Sequence, residues 1–382
     1  MLLMLLMIVH SPAYADHIHH LWYNNSNWQD QDITALAGGP DTANYFAMAA
    51  FRTTPNNQLH VYYVDAAAGH VHQLYYNNTS WSDDDVTAFT GGPQAYPYGI
   101  SGFAIGNLQY VFYVDTSSHV HEMSYNNSNW SDQDITSLVG GNLATSPLVA
   151  FATKLNNQFH VYYLDSYSVH LYQLYFNGTS WSYQDITAIT GASCFAGTQI
   201  AGFAVGKLQH LFCPGFGGYS NNIDMLHIHY NNSTWVYEDV TYEAGGLEPA
   251  MNGLAGVAAF KVPGVSQLEA YSLTDDTHFQ QFSHKTRWTD KDLTARIGAP
   301  TSDTSYSFMV AFVTTPNNQF HIYYVPTSSE PPSGTEVYQL YYSGSSWSVE
   351  DLTGGTGNAD YTAGMAGFAI GNLQHVFYMS NN

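Results

Sequence analysis

The sequence predicts an all-β fold, a seven-bladed β-propeller of four-stranded antiparallel blades, and three observations carry that prediction. A unit typified by Leu74 to Thr87, LYYNNTSWSDDDVT, recurs seven times with fixed internal spacing. Its Trp, Asp and Thr stand at Trp28, Asp32, Thr34; Trp81, Asp85, Thr87; Trp130, Asp134, Thr136; Trp181, Asp185, Thr187; Trp235, Asp239, Thr241; Trp288, Asp292, Thr294; and Trp347, Asp351, Thr353. A period of roughly fifty residues marks a repeat architecture. The composition suits short strands and tight turns: 15% aromatic and 10% charged, with 31 Tyr and 32 Gly among 382 residues. The chain ends complement each other. Met365 to Met379 supplies two strands and stops, whereas His17 to Thr34 supplies only the last two of a blade. The ring is therefore expected to close by N-terminal strands three and four pairing with C-terminal strands one and two, which removes free sheet edges.

The first full repeat shows how a blade is built. Tyr45 to Thr53 is apolar and rich in small residues, Gln58 to Asp65 and His70 to Tyr76 alternate, and Trp81 to Thr87 completes the sheet. Turn signals separate them at residues 54 to 57, 66 to 69 and 77 to 79. One domain is expected over 17–382, with blades at 44–88, 98–137, 146–189, 197–242, 252–295, 306–353 and 363–382 plus 17–35. First strands carry small residues, as in Ser101-Gly102-Phe103-Ala104, Ala201-Gly202-Phe203-Ala204, Ala255-Gly256-Val257-Ala258 and Ala366-Gly367-Phe368-Ala369. Such residues fit strands crowded around a common axis, with Tyr and Trp outside where blades diverge. Repeats one, three and six place Asn-Asn-Gln between strands one and two, at 56–58, 156–158 and 317–319. Repeats two, four and seven have a short turn at Gly106, Gly206 and Gly371, and Val262 to Val265 fits neither class. The longest insertion, Ser328 to Thr335, falls in the sixth repeat.

Eight Lys plus Arg against thirty Asp plus Glu give a net charge of −22. That surface repels phosphate backbones, so neither nucleic acid nor membrane insertion is expected. Residues 1–15 pair an apolar run, Leu2 to Val9, with a small-x-small site at Ala13-Tyr14-Ala15, so they are expected to be a signal peptide and the protein secreted. Two cysteines are too few for a disulfide framework. Cys194 and Cys213 are expected as buried free thiols, a bridge requiring the segment before the fourth blade's first strand to curl back. Eight Asn-x-Ser/Thr sequons, at Asn24, Asn77, Asn78, Asn126, Asn129, Asn177, Asn231 and Asn232, all fall in the turn between strands three and four. Asn-Asn there is turn chemistry first.

Two sets of residues can carry function. The repeat Trp either packs between blades or offers an indole for an apolar sugar face. The Asp and Thr are expected to hydrogen-bond nearby backbone. The second set lies on strands two and three as cross-strand neighbours: His60 with Gln73, Tyr110 with Glu122, His160 with Gln173, His210 with His227, Glu269 with Gln281, His321 with Gln339, and His375 with His20. Polar residues on a face that should pack against a neighbour are either a satisfied ladder or a pocket between blades.

The order of a strand with HVYYVD, a strand with HVHQL or HVHEM, then Trp resembles the fucose-specific lectins of fungi and bacteria, over essentially residues 17–382. The resemblance implies a propeller with sugar sites between blades, where an Arg on strand two, a Glu on strand three and a Trp bind the sugar. The Trp position corresponds to Trp81, Trp130 and their equivalents Trp28, Trp181, Trp235, Trp288 and Trp347, and the Glu position only to Glu122. The Arg position is never Arg; it holds His60, Tyr110, His160, His210, Glu269, His321 and His375.

Catalysis is not expected. Arg52, Arg287 and Arg296 are scattered over two blades, unlike the arginine cluster of a sialidase, and no Ser-His-Asp order, phosphate loop or HExxH occurs. Pairs such as His70 with His72 and His119 with His121 sit two apart on one strand face, but they recur as ordinary repeat positions, so no metal or other cofactor is expected. The sequence thus points to a multivalent lectin without catalysis. Its expected sugar-binding residues are Trp81, Trp130, Trp181, Trp235, Trp28, Trp347, His60, Gln73, Tyr110, Glu122, His160, Gln173, His210 and His375. Its partners would be glycans on cell surfaces or glycoproteins, with oligomers allowed. The alternative is a structural or adhesive extracellular surface protein with no small-ligand site. A lectin needs these pockets open; a scaffold fills them with neighbouring side chains. Repeats five and six depart most, with Glu269 and the shortened turn Lys285-Thr286-Arg287, and are expected to lose their sites first.

Overall fold

The computed structural model describes residues 16–381 except 44–47, 146, 154–157, 166–169, 196–197, 217–222, 247–255, 275–276, 302–308, 327–335 and 355–363. The apolar leader and the sixth-repeat insertion therefore lie outside the described residues, as do 156–157 of the third repeat's Asn-Asn-Gln turn.

Seven antiparallel sheets form the ring. From the inner strand outward, blade one is Ala49–Arg52, Leu59–Val64, Val71–Tyr76 and Trp81–Asp85. Blade two is Ala95–Ile105, Leu108–Asp115, Val120–Tyr125 and Trp130–Asp134. Blade three is Val149–Thr153, Gln158–Leu164, Leu171–Phe176 and Trp181–Asp185. Blade four is Ala201–Val205, Leu208–Phe216, Asp224–Tyr230 and Trp235–Asp239. Blade five is Val257–Val262, Gln267–Leu273, Phe279–His284 and Trp288–Asp292. Blade six is Met309–Val313, Phe320–Tyr324, Tyr338–Tyr342 and Trp347–Asp351. Blade seven joins Met365–Ile370 and Leu373–Asn381 to Asp16–Tyr23 and Trp28–Asp32. Its seam runs from Asp16 opposite Asn381 to Tyr23 opposite Gln374, the closure expected from the two chain ends.

The inner strands touch one another in cyclic order, blade one to blade seven and back. Small residues allow it. A Cβ at Gly102 would lie 2.8 Å from the Tyr110 carbonyl oxygen and 3.0 Å from the Phe51 ring. Farther out, each repeat Trp meets edge-on an aromatic of the preceding blade's second strand: Trp81 on Phe377, Trp130 on Tyr62, Trp181 on Phe112, Trp235 on Tyr162, Trp288 on Phe212, Trp347 on Tyr271 and Trp28 on Tyr323. The interblade packing reading of the Trp therefore holds in every blade.

Three features correct the sequence reading. The repeat does not end as a strand. After each of the six outer strands of blades one to five and seven comes a single helical turn: Val86–Thr90, Ile135–Val139, Ile186–Thr190, Val240–Ala244, Leu293–Ile297 and Ile33–Ala37. The repeat Asp is its N-cap; Asp85, for example, accepts the Ala88 N–H at 2.8 Å. A left-handed Gly closes the turn, as Gly91 does at φ 68°. Blade six reads Leu352-Thr353-Gly354-Gly355, and two glycines inside so short a helix cost roughly 1 kcal/mol each; residues 352–354 form a bend instead. The Thr stitches this turn back to the sheet. Its hydroxyl accepts the N–H opening the third strand in all seven blades, as Thr87 does for Val71 at 2.8 Å.

The second correction is a disulfide. Cys194 and Cys213 are bridged, with Cα atoms 5.7 Å apart. Ser193–Cys194 curls back and pairs with the end of the second strand, Cys194 opposite Gly215, so blade four has a fifth strand. The third is register. Gln73 lies opposite Tyr62, and His60 opposite Tyr75, so each proposed pair is diagonal, two residues out of direct opposition. The cause is a wider turn: Asp65 accepts the Ala68 and Gly69 N–H groups, and its own N–H closes onto the His70 carbonyl. Because the shift is even, the pairs still share a face.

Candidate functional site at the blade junctions

The strand-two and strand-three pairs all face the cleft between their blade and the next, and the next blade supplies the Trp. Six of the seven junctions fall into two kinds, and five/six, with Tyr271 and Phe320 at the positions that sort them, belongs to neither. At one/two, three/four and six/seven, a Tyr on strand two meets a Gln from the next blade: Tyr62 with Gln109, Tyr162 with Gln209, Tyr323 with Gln374. The strand-three Gln joins them. Gln73 donates to Gln109 at 3.0 Å and to His60 Nδ1 at 2.5 Å. Since His60 Nδ1 accepts, its Nε2–H faces Thr53 Oγ1 at 3.1 Å, and Thr53 in turn donates to Asn56. Gln173 with His160, and Gln339 with His321, repeat the arrangement at 2.9 and 2.7 Å. His60, Gln73, His160 and Gln173 are thus buried and saturated. Burial pushes His60 and His160 down to about 4, so both are neutral at physiological pH.

At seven/one, two/three and four/five, Phe replaces that Tyr (Phe377, Phe112, Phe212) and Leu59, Phe159 or Leu268 replaces the Gln. Without the bridge, the polar pair faces other partners. Junction seven/one holds a cavity of about 480 Å³ lined by His20, Trp22, Gln31, Leu36, Tyr76, Trp81 and His375 among others. Gln31 donates to His20 Nδ1, His20 Nε2 bonds His375 Nδ1 at 3.0 Å, and so the remaining His375 Nε2 carries a proton. That N–H and the Trp81 indole N–H are buried and have no partner among the described residues. A buried donor left unpaired costs about 1–3 kcal/mol. Burial pushes His375 down to about 4, so the ring is a neutral donor.

Junction two/three holds a cavity of about 650 Å³ lined by Tyr110, Glu122, Gln133, Leu138, Phe159 and Trp181. Glu122 is pushed up to about 7, chiefly by burial, against a hydrogen bond from Trp181 that favours its charged form. At four/five the cleft fills itself. His210 bonds His227 at 2.9 Å, His227 bonds Glu238 at 3.0 Å, and Trp288 donates to Glu238 at 2.9 Å. Ligand atoms of His227, His229 and Glu238 lie within 4.8 Å of one another, the set best placed among the described residues to hold a metal. The histidine pairs noted in the sequence are otherwise engaged. His70 and His119 each donate to the helix-capping Asp of their own blade, at 2.8 and 2.7 Å, and His72 and His121 to Asp83 and Asp132, at 2.9 and 2.8 Å.

Junction five/six, where a site was expected to be lost first, carries a cavity of about 430 Å³. Trp28 and Trp235 stand at six/seven and three/four, and the Trp235 indole N–H is also buried without a partner among the described residues. Sequence reasoning missed the alternation of Tyr and Gln against Phe and Leu or Phe that sorts the junctions. It was present at positions 62 and 109, but only the structure shows that they meet.

The ring is similar in fold to fucose-binding lectins. The lectin BP39L of Burkholderia pseudomallei superposes with a TM-score of 0.59 at 15% identity, over 80% of this chain and 83% of that one. The Aleuria aurantia lectin in complex with α-methyl-L-fucoside gives 0.53 at 16% identity, over 80% and 94%. AofleA of Arthrobotrys oligospora gives 0.52 at 11% identity, over 87% and 88%. The Aleuria lectin has six blades; this chain has seven. The sequence matches no protein-family model and no curated protein.

Proposed function

We propose that the protein is a multivalent, non-catalytic glycan-binding protein whose sugars sit in the clefts between blades. The observation that carries the reading is junction seven/one. There an indole wall, a neutral imidazole donor and an unpartnered indole N–H converge on an open cavity large enough for a monosaccharide or disaccharide. A sugar supplies what that wall lacks: an apolar face for Trp81 and hydroxyl oxygens for the two donors. Exposed apolar residues at one helix position, Leu36 and Leu138, edge the clefts at seven/one and two/three and suit a methyl-bearing sugar. Solved lectins of the same fold bind α-methyl-L-fucoside, so fucosides are the first ligands to test, with Trp and not Arg as the shared recognition element. The bonded His–Gln–Tyr networks at one/two and three/four support a role in holding the ring, so fewer than seven sites are expected. Secretion fits the Cys194–Cys213 bridge, since disulfides persist in oxidising compartments. Several weak sites on one ring give avidity on a glycan-coated surface.

The test is a glycan array on the protein without residues 1–15, followed by titration of each hit. Selective binding that loses one site per ring in Trp81→Ala, with the fold intact by circular dichroism, is the expected result. No binding across fucosylated, galactosylated, mannosylated and methylated sugars would favour a structural surface protein.

A further inference from the structure

The chain has eight Lys and Arg residues, and four of them, Lys285, Arg287, Lys291 and Arg296, line the single cavity at junction five/six. Each enters through a position that is neutral, acidic or apolar elsewhere. Lys285 and Arg287 occupy the turn between strands three and four, built from Asn, Ser, Thr and Gly in other blades. Lys291 takes the outer-strand place of Gln31, Gln133 and Gln184. Arg296 takes the helix place held by the exposed Leu36 and Leu138 at seven/one and two/three. All four are exposed, and none forms an ion pair with a carboxylate among the described residues, in a protein with thirty acids. The only carboxylate among the described residues lining this cavity, Glu269, is fully buried on its floor. It accepts hydrogen bonds from Gln281 at 2.8 Å, Ser283 at 2.7 Å and Gln267. Asp290 and Asp292 flank Lys291 on the strand and so face away from it. Trp347 and Tyr342 of blade six form the opposite wall.

Resting on the glycan-binding reading above, we propose that junction five/six is a separate subsite for an acidic sugar, its carboxylate or sulfate held by the Lys285, Arg287, Lys291 and Arg296 cluster and its ring laid against Trp347. The net charge of −22 opposes an approaching anion only at long range. At physiological ionic strength that field is screened within about 8 Å, whereas four cations around one cleft act inside that distance. The ring then carries two ligand classes, neutral sugars at clefts edged by Leu and an acidic one at the cleft edged by Arg.

The experiment titrates the intact protein with three probes: a galacturonic acid oligosaccharide, a 6-sulfated galactose oligosaccharide and their neutral galactose counterpart, each at low and high salt. The expected result is binding of at least one acidic probe that weakens with salt and falls about tenfold or more in Arg287→Ser/Lys291→Ser. Binding of neutral glycans at other junctions should be unchanged in that variant. The two acidic probes separate carboxylate from sulfate recognition. Neutral glycans binding while neither acidic probe does, or acidic probes binding equally well to the double variant, overturns the subsite and leaves the glycan-binding reading intact. No glycan of either class binding overturns both.

Discussion

Junctions one/two and seven/one are built from the same repeat and differ, among other positions, in the two residues that meet across the cleft. At one/two, Tyr62 and Gln109 lock Gln73 and His60 into a buried network. At seven/one, Phe377 and Leu59 stand in those places, and His375 and Trp81 keep donors without partners among the described residues. The comparison teaches that a hydroxyl–amide pair can tie the polar residues of a cleft into the ring, although it does not alone set openness: four/five lacks the pair and fills itself with His227 and Glu238, and six/seven has the pair yet keeps a cavity of about 380 Å³. It also explains why polar residues are tolerated on interblade faces: in the closed junctions almost every donor and acceptor is used.

The largest effect is expected from opening a closed junction by one residue. Gln109→Leu, which copies Leu59, strands the Tyr62 hydroxyl and the Gln73 amide and should destabilise by about 3 kcal/mol in urea unfolding. Adding Tyr62→Phe removes one stranded group, and the double variant should recover about 1–2 kcal/mol of that loss. Simple additivity of the two substitutions would show that the pair does not act as a unit.

A smaller effect concerns pH at two/three. The folded pKa of Glu122 is raised from 4.5 to about 7 by burial. Its contribution to stability is therefore fully present below about pH 4.5 and lost as pH rises through about 7. Glu122→Gln should flatten that part of the stability profile, and a ligand that needs the carboxylate should bind two/three more tightly above pH 7 than below it. Asp239, a helix-capping residue, offers a control. Burial and Asp224, which stands where five of the other six blades place a His, raise it to about 6, whereas Asp134, bonded by His119 and Ser137, is lowered. Asp224→His should return Asp239 to an ionised cap and reduce the fall in stability between about pH 4 and 6, measured by thermal unfolding. The smallest effect is expected from Leu36→Ala, within about 0.5 kcal/mol of wild type in stability because the side chain is exposed. It should weaken only binding at seven/one.

The fold was legible because its causes are local and repeated. Trp, Asp and Thr recur because each acts in one fixed way. The Trp packs on the preceding blade, the Asp caps a helical turn, and the Thr accepts the N–H that opens strand three. The turn Asn residues are equally local: Asn77 accepts the Thr79 and Ser80 N–H groups at 3.0 Å, and Asn78 adopts φ 74°. The helical turn itself was missed although Asp85 and Gly91 mark its two ends, because Val86 and Thr87 are strand-forming residues. The site was less legible because it is assembled between repeats. Arg287 and Arg296 look scattered in the sequence, yet they border one cleft. The partner of Tyr62 lies 47 positions away, and no spacing within a single repeat announces it. Cys194 was misjudged for a similar reason, since its neighbour depends on where an irregular segment turns back.

The seam of blade seven has a consequence in time. His20 and His375, 355 residues apart, must meet before the seven/one cleft exists. During synthesis the five junctions from one/two to five/six can assemble as each blade leaves the ribosome, while blade one waits with an unpartnered face and blade seven is completed only when the two chain ends pair. Contacts between distant chain segments form late because loop closure must precede them. The cleft that best fits a ligand is thus among the last to be completed, so ligand binding at that cleft reports a closed ring. A circular permutant with its ends moved to the turn between blades three and four would transfer that dependence to a closed junction and leave seven/one among the early ones.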